Sequence, residues 1–389
     1  MKNKYFTNIL LLIIITFTQP QSIVASVNDP EYSNQWIQEF HNITSVWQYG
    51  YDFRDVSDAV SLCVLGGPIV TDQHGDLEVT EKKSFAYNES GTGFVDYPGI
   101  DATDREHEAF SASVAASLIN NSIGIAGVAN MPLYSALVGG GSNTTRFINS
   151  IRLAIEWCST KGKIAVTMGF WVQAGTYYNS NEAMQLRTSI VDLYDTGNIL
   201  YFVAAGNVVE PLNTTTIPHT YDHIHMISKN NRYGNYDSGT TGPNLFITAP
   251  GLEVWAYSQK YDRYENFGGT SASSPITAAA AVLLWNQFPW ANNTQIEAAL
   301  KWGATDIENK GWDEKTGWGL LNVEKSREYL VEYIPTESLT SQSSSQSLTT
   351  FSDITSITST KSSSSITYLL PSFWCLTIIY VNKRRNLLH

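Results

Sequence analysis

Residues 266–275 read Asn-Phe-Gly-Gly-Thr-Ser-Ala-Ser-Ser-Pro, and an alanine-rich apolar run follows at 276–285. Gly268 and Gly269 permit a tight turn. The run has no polar face, which predicts a helix buried on all sides. Pro275 is expected in its first turn, where a missing N–H costs little. Ser271 then stands at the amino end of a buried helix, beside unpaired backbone N–H groups and the positive end of the helix dipole. Position alone leaves two readings. Ser271 is a nucleophile whose own N–H helps hold an oxyanion, or it is a helix N-cap.

The rest of the chain sets the compartment. It has 389 residues, 43% hydrophobic and 15% charged, enough for one large core or two ordinary domains. The net charge of −12 argues against a nucleic-acid partner. Lys2 and Lys4 precede an apolar run at 9–17, and Ala25-Ser26 offers a small-residue cleavage site, so residues 1–26 read as a secretory signal peptide. Residues 335–365 are dominated by Ser and Thr and read as an unfolded stalk open to O-glycosylation. Residues 366–381 are apolar and lead into Lys383-Arg384-Arg385 within a short tail, 382–389. That order predicts a single-span anchor with a cytoplasmic basic stop; a GPI signal competes, but its tail should end apolar. The folded body would then be lumenal or extracellular. Asn-x-Ser/Thr sites at Asn42, Asn88, Asn120, Asn143, Asn213 and Asn292 are possible glycan acceptors. Of three cysteines, Cys375 lies in the anchor; Cys63 and Cys158 could form a bond, but buried free thiols are the favoured expectation.

The body, 27–334, alternates two periodicities. Strands are predicted at 59–65, 133–138, 164–169, 200–205, 224–227 and 245–249. Helices are predicted at 108–119, 144–160, 181–196, after Ser271, and at 293–302. Such alternation implies an α/β fold, mainly a parallel sheet with helices on both faces, and a site at the carboxyl ends of the strands.

Gly-Thr-Ser-Ala-Ser-x-Pro at 269–275 resembles the serine signature of the subtilisin-type (S8) serine proteases. The resemblance covers nearly the whole body and is closest to the kexin, or proprotein-convertase, branch, whose opening segment Asp29-Pro30 and Gln35-Trp36 resemble. Phe202-Val203-Ala204-Ala205-Gly206-Asn207 matches the oxyanion segment, and Gly317-Trp318-Gly319 the closing motif. His107, opening a small-residue helix, stands where the family has its catalytic histidine, with Glu108 replacing a glycine. Gly139 and the pair Thr167 and Gly169 stand on the two substrate walls, which imply β-augmentation of an extended peptide. Between 170 and 178 there is no acid to hold a basic P1 side chain.

The triad acid is the departure. Matching Gly67 to the glycine of Asp-x-Gly puts Leu65 at that position, whereas spacing from His74-Gly75-Asp76-Leu77 puts Gly67 there. Neither is a carboxylate, and Asp72 is several residues late. The resemblance therefore implies a membrane-anchored serine endopeptidase of the secretory pathway. Ser271 would be its nucleophile, His107 its base and Asn207 its oxyanion donor, with catalysis weakened or lost for want of the acid. The alternative is a pseudoprotease that binds peptides or partner proteins. Restoring the acid would take Leu65→Asp or Gly67→Asp. No cofactor is required; a structural calcium fits the family but no residues are assigned to it. The histidines at 219, 223 and 225 read as a strand entry rather than a metal site. Neither an inhibitory propeptide before Asp29 nor a P domain after 333 is expected in this sequence.

Overall fold

Residues 27–69, 75–97 and 106–332 are described by the computed structural model. The signal peptide, the stalk, the anchor, the tail, Asp72 and His74 lie outside the described residues. Strands in chain order are β1 (Ser61–Gly66), β2 (Glu81–Ser84), β3 (Leu133–Leu137), β4 (Ile164–Met168), β5 (Val172–Gln173), β6 (Ile199–Ala204), β7 (Thr216–Ile217), β8 (Ile224–Asn230), β9 (Leu245–Pro250), β10 (Val254–Ser258) and β11 (Arg263–Phe267). Helices are α1 (Ile37–Phe40), α2 (Thr44–Trp47), α3 (His107–Ala116), α4 (Thr144–Ser159), α5 (Asn181–Tyr194), α6 (Thr270–Gln287), α7 (Asn293–Gly303) and α8 (Val323–Glu332). The main sheet runs β2-β3-β1-β4-β6-β8-β9, every neighbouring pair parallel. Its central strands are buried along their whole length, as expected of a sheet covered on both faces. At one edge, β2 carries Glu81, Lys82 and Lys83, charges that discourage further strand addition.

Which helix covers which face follows from pairing. In a parallel ladder, paired residues point to the same side and side chains alternate along each strand. Cys63 pairs with Val166, and Val64 with Thr167. Cys63 is bonded to Cys158 in α4, while the Thr167 hydroxyl lies 2.8 Å from that of Ser274 in α6. So α4 covers one face and α6 the other, with α3 packed beside α6. Leu65, paired with Met168, points to the α4 face and is fully buried. Gly66, next along β1, belongs to the face of α6 and α3.

Two sequence expectations are corrected. Cys63 and Cys158 form a disulfide, 95 residues apart in sequence, because the sheet turns Cys63 towards the helix that carries Cys158, with Cα atoms 6.3 Å apart. Pro275 lies past the first turn of α6, which begins at Thr270, so its absent N–H leaves the Ser271 carbonyl without its usual i+4 donor. The helix itself is as expected: residues 270–285 are all buried.

Candidate active site

Three loops leave the carboxyl ends of β1, β4 and β6 and meet the amino ends of α3 and α6. Gly269, at φ +97, turns the chain from β11 into α6. The helix has no side-chain cap of its own. Asn207, just past β6, supplies one: its Oδ1 accepts from the Thr270 N–H at 2.9 Å. The Thr270 hydroxyl in turn accepts from the Gly206 N–H at 3.1 Å. A Cβ on Gly269 would come within 2.9 Å of Asn207 Nδ2, so only glycine lets the carboxamide lie this close. With Oδ1 committed to Thr270, Nδ2 keeps its donors. Among the described residues, Nδ2, the Ser271 N–H and the Ser271 hydroxyl make no hydrogen bond. They form a donor pair beside a free hydroxyl.

His107 opens α3, next to this amino end. One hydroxyl ties the two helices together: Ser111 Oγ donates to the carbonyl of His107 and to that of Ser271, each at 3.1 Å. The second contact replaces the donor that Pro275 lacks. Gly169 lies against the imidazole; a Cβ there would be 2.6 Å from Cε1. Phe267 meets the ring edge-on at 6.0 Å. The imidazole is 43% exposed, open to an approaching substrate. Its Nδ1 lies 3.0 Å from Glu108 Oε1, and that carboxylate is buried. The hydrogen bond to Glu108 and its charge hold the imidazole above the ordinary histidine value, against the opposite pull of burial. Glu106, on the other side in sequence, is turned away to Ser258 and Lys260.

The space behind His107 is therefore not filled by Leu65 or Gly67. Leu65 faces α4, and Gly67, two residues on, is past the end of β1. The position that faces His107 is Gly66, at φ +150, where an added Cβ would overlap the Glu108 carboxylate. The premise that no carboxylate reaches the imidazole does not hold.

The substrate walls differ from expectation in detail. Gly139 is not an open edge: its N–H is bonded to Ser150 Oγ and its carbonyl accepts from Tyr87, continuing the ladder of β2 and β3. Thr167 is inside the sheet, paired on both sides, with its hydroxyl on Ser274. Gly169, beyond the end of β4, stands against the imidazole with its backbone outside the ladder. Beside it, between Trp171 and Ala205, is a slot of about 10 Å³, also lined by Gln173, Glu210, Thr216 and His219. That is room for about one water. Glu210 is an acid that a search of 170–178 could not find, because it arrives from a loop 30 residues on. The His219 Nε2–H donates to the Ala204 carbonyl at 2.8 Å, and burial pushes that ring down to about 4, so it is neutral. Its Nδ1 and the Thr216 hydroxyl are buried without partners.

The three histidines diverge. His219 binds Ala204, His223 stacks on Tyr194 at 3.9 Å, and His225 reaches the Tyr201 carbonyl and Glu297. Among the described residues no group of three or more His, Cys, Asp or Glu could hold a metal ion. Asp76 is bonded to the Asn121 amide, the Ile125 N–H and the Tyr264 hydroxyl.

The chain is similar to known proteases in sequence and in fold. The sequence model of the subtilase family (peptidase S8) matches residues 27–319. A halolysin-like extracellular serine protease of Natrialba magadii is 27% identical over 305 residues, 76% of this chain and 52% of that protein, so the chain spans about half its length. Subtilisin DY of Bacillus licheniformis is 28% identical over 259 residues, 64% of this chain and 85% of the relative. A solved protease from Pseudoalteromonas arctica superposes with a TM-score of 0.61 at 18% identity, over 78% of this chain and 99% of that one, a likeness of fold.

Removing the Ser111 hydroxyl should expose the role of Pro275. Ser111→Ala leaves the buried Ser271 carbonyl unpaired and should cost about 1–3 kcal/mol. A lower urea midpoint with an unchanged slope would report it. An unchanged midpoint would mean that the carbonyl finds another donor.

Proposed function

The chain belongs to the subtilase family, and from that premise we propose that it is a serine endopeptidase that hydrolyses peptide bonds at Ser271. The observation that carries this reading is the convergence of an unpaired Ser271 hydroxyl, two unpaired donors and a carboxylate-bonded imidazole. The Ser271 oxygen attacks the peptide carbonyl while His107 Nε2 takes its proton. The Ser271 N–H and Asn207 Nδ2 hold the oxyanion. Collapse expels the amine, which takes the proton from His107, and leaves an acyl-serine. Water then repeats the sequence, releasing the acid and restoring the hydroxyl. The competing reading is a pseudoprotease that binds peptides. It is favoured by Gly66, which offers no acid where the family has one.

A fluorophosphonate probe separates the two. It should label the full chain, and Ser271→Ala should abolish labelling and peptide hydrolysis together. Asn207→Ala should lower turnover by roughly 10²–10³ and, because it also removes the cap on the Thr270 N–H, should cost about 1–2 kcal/mol of stability. An unlabelled wild-type chain would favour the pseudoprotease.

The slot beside Gly169 bears on specificity. We infer that this slot, with room for about one water, is where a P1 side chain enters and that Trp171 on its wall favours short P1 residues. Trp171→Ala should raise kcat/KM for bulky P1 residues relative to alanine by at least about tenfold. An unchanged ranking of P1 residues would refute the assignment.

We read the body as lumenal or extracellular, carried by a signal peptide at 1–26, a stalk at 335–365 and a single-pass anchor at 366–381. No helix of the described residues is long and apolar enough to cross a membrane, and 366–381 lie outside them. The kexin-like assignment is supported by the opening segment. There the Asp29 carboxylate accepts from the N–H groups of Asn120, Asn121 and Ser122, and Gln35 binds the Ala126 backbone. Glycosidase should lower the apparent mass through Asn143, Asn213 and Asn292, which are exposed. Asn120, whose amide donates to Tyr51, should stay unmodified. Full-length protein in the soluble fraction would sink the anchor.

A further inference from the structure

We propose that Glu108 is the positioning acid of this site, taking over from the neighbouring position on α3 the role that a carboxylate at position 66 would play from β1. The inference rests on the peptidase reading above and names how that site works without an acid on the strand.

Three observations carry it. First, Glu108 Oε1 lies 3.0 Å from His107 Nδ1, within hydrogen-bond reach of the nitrogen on the far side of the ring from Nε2. An Nδ1–H donated to a carboxylate fixes the tautomer, so Nε2 keeps the lone pair that must take the serine proton. Second, the alternation of β1 turns position 66, and not 65, to the face of α3 and α6, and 67 lies past the end of the strand. A Cβ on Gly66 would overlap the Glu108 carboxylate, so the two positions address one volume. Third, the carboxylate is shielded while the imidazole is open: the side chains are 9% and 43% exposed. Water does not compete strongly for the acid, and substrate can reach the base. The neighbouring hydroxyl of Tyr97 is already held between Ile69 and Ser135, so it does not stand in for the acid.

The acid also sets the pH at which the base works. Only neutral His107 can accept the serine proton, and Glu108 stabilises the protonated ring. Activity should therefore rise with pH through a limb displaced above the ordinary histidine range. Without the charge, that limb should move to lower pH even as the rate falls.

The test uses the full-length chain, a fluorophosphonate probe and a chromogenic peptide anilide with alanine at P1. Glu108→Gln keeps the shape and removes the charge. It should slow probe labelling and kcat/KM by on the order of 10³–10⁴, shift the acidic limb downwards, and leave the melting temperature nearly unchanged. Glu108→Gly should be as slow. Adding Gly66→Asp to Glu108→Gly moves the carboxylate to the strand, at a φ of +150 that strains any L side chain, and should still recover at least about tenfold of the loss. The Nδ1 proton resonance of His107 should be present in the wild type and lost or shifted in Glu108→Gln. An active wild type whose rate and pH limb are unmoved by Glu108→Gln would overturn the inference and leave the peptidase reading standing. A wild type inert to the probe would sink the peptidase reading. If it still kept the Glu108-dependent resonance, the contact would be structural only, which also overturns the assigned role.

Discussion

A helix that begins inside the protein brings its first N–H groups with it, and each needs a partner or carries a cost. The amino end of α6 is such a beginning. Asn207 takes the Thr270 N–H, the Thr270 hydroxyl takes the Gly206 N–H, and Ser111 serves the Ser271 carbonyl that Pro275 cannot. These contacts lock the loop after β6 and the start of α3 to the start of α6. What they leave over are the Ser271 N–H, the Ser271 hydroxyl and the Asn207 Nδ2. The groups that stabilise the fold and the groups free for chemistry are complementary sets around one helix end. The carboxamide shows the division within a single side chain: its oxygen is structural and its nitrogen is left for an oxyanion.

The face of each strand residue is the second constraint. Two landmarks in the sequence point to different positions for the missing acid, 65 from the glycine after it and 67 from the spacing to 74. Position 65 is on the face on which Cys63 is bonded to α4, and position 67 lies past the end of the strand. A side chain on that face cannot reach His107. The period of two therefore excludes 65 and turns 66, which neither landmark names, towards Glu108. A one-residue slip along a strand exchanges its faces, and motif spacing across a turn is uncertain by about that much.

Much of the architecture was legible because it is written in long apolar runs. Strands β1, β3, β4, β6, β8 and β9 are buried on both faces, and α6 is apolar all round, so composition alone identifies them. Ser271 and Asn207 stand out in the sequence because each follows a glycine, within one residue or two, and His107 because a run of small residues follows it in α3. The hairpin of β10 and β11, the charged edge strand β2 and the helix α8 have no such signal, since each is short and partly exposed. Gly139 looked like a free edge because nothing in its own segment reveals that residues 85–87 lie alongside it. Glu210 joins the slot through a tertiary approach that no local window contains.

Glu108 was visible as an acid beside the histidine but not as its partner, because that depends on a side chain that is absent elsewhere. A strand acid and a helix acid cannot occupy the same volume. Gly66 leaves free the volume that the Glu108 carboxylate occupies. The position of an acid alters how such a contact is held. An acid on β1 is set against His107 by the packing of a helix on a sheet. An acid on α3 shares the histidine's own backbone, so its distance follows from local helix geometry and is insensitive to small shifts between α3 and β1. The glutamate has one more rotatable bond than an aspartate, and ordering it costs entropy. Its near-complete burial against a glycine limits the alternatives, and the open volume at position 66 is what makes the productive rotamer accessible.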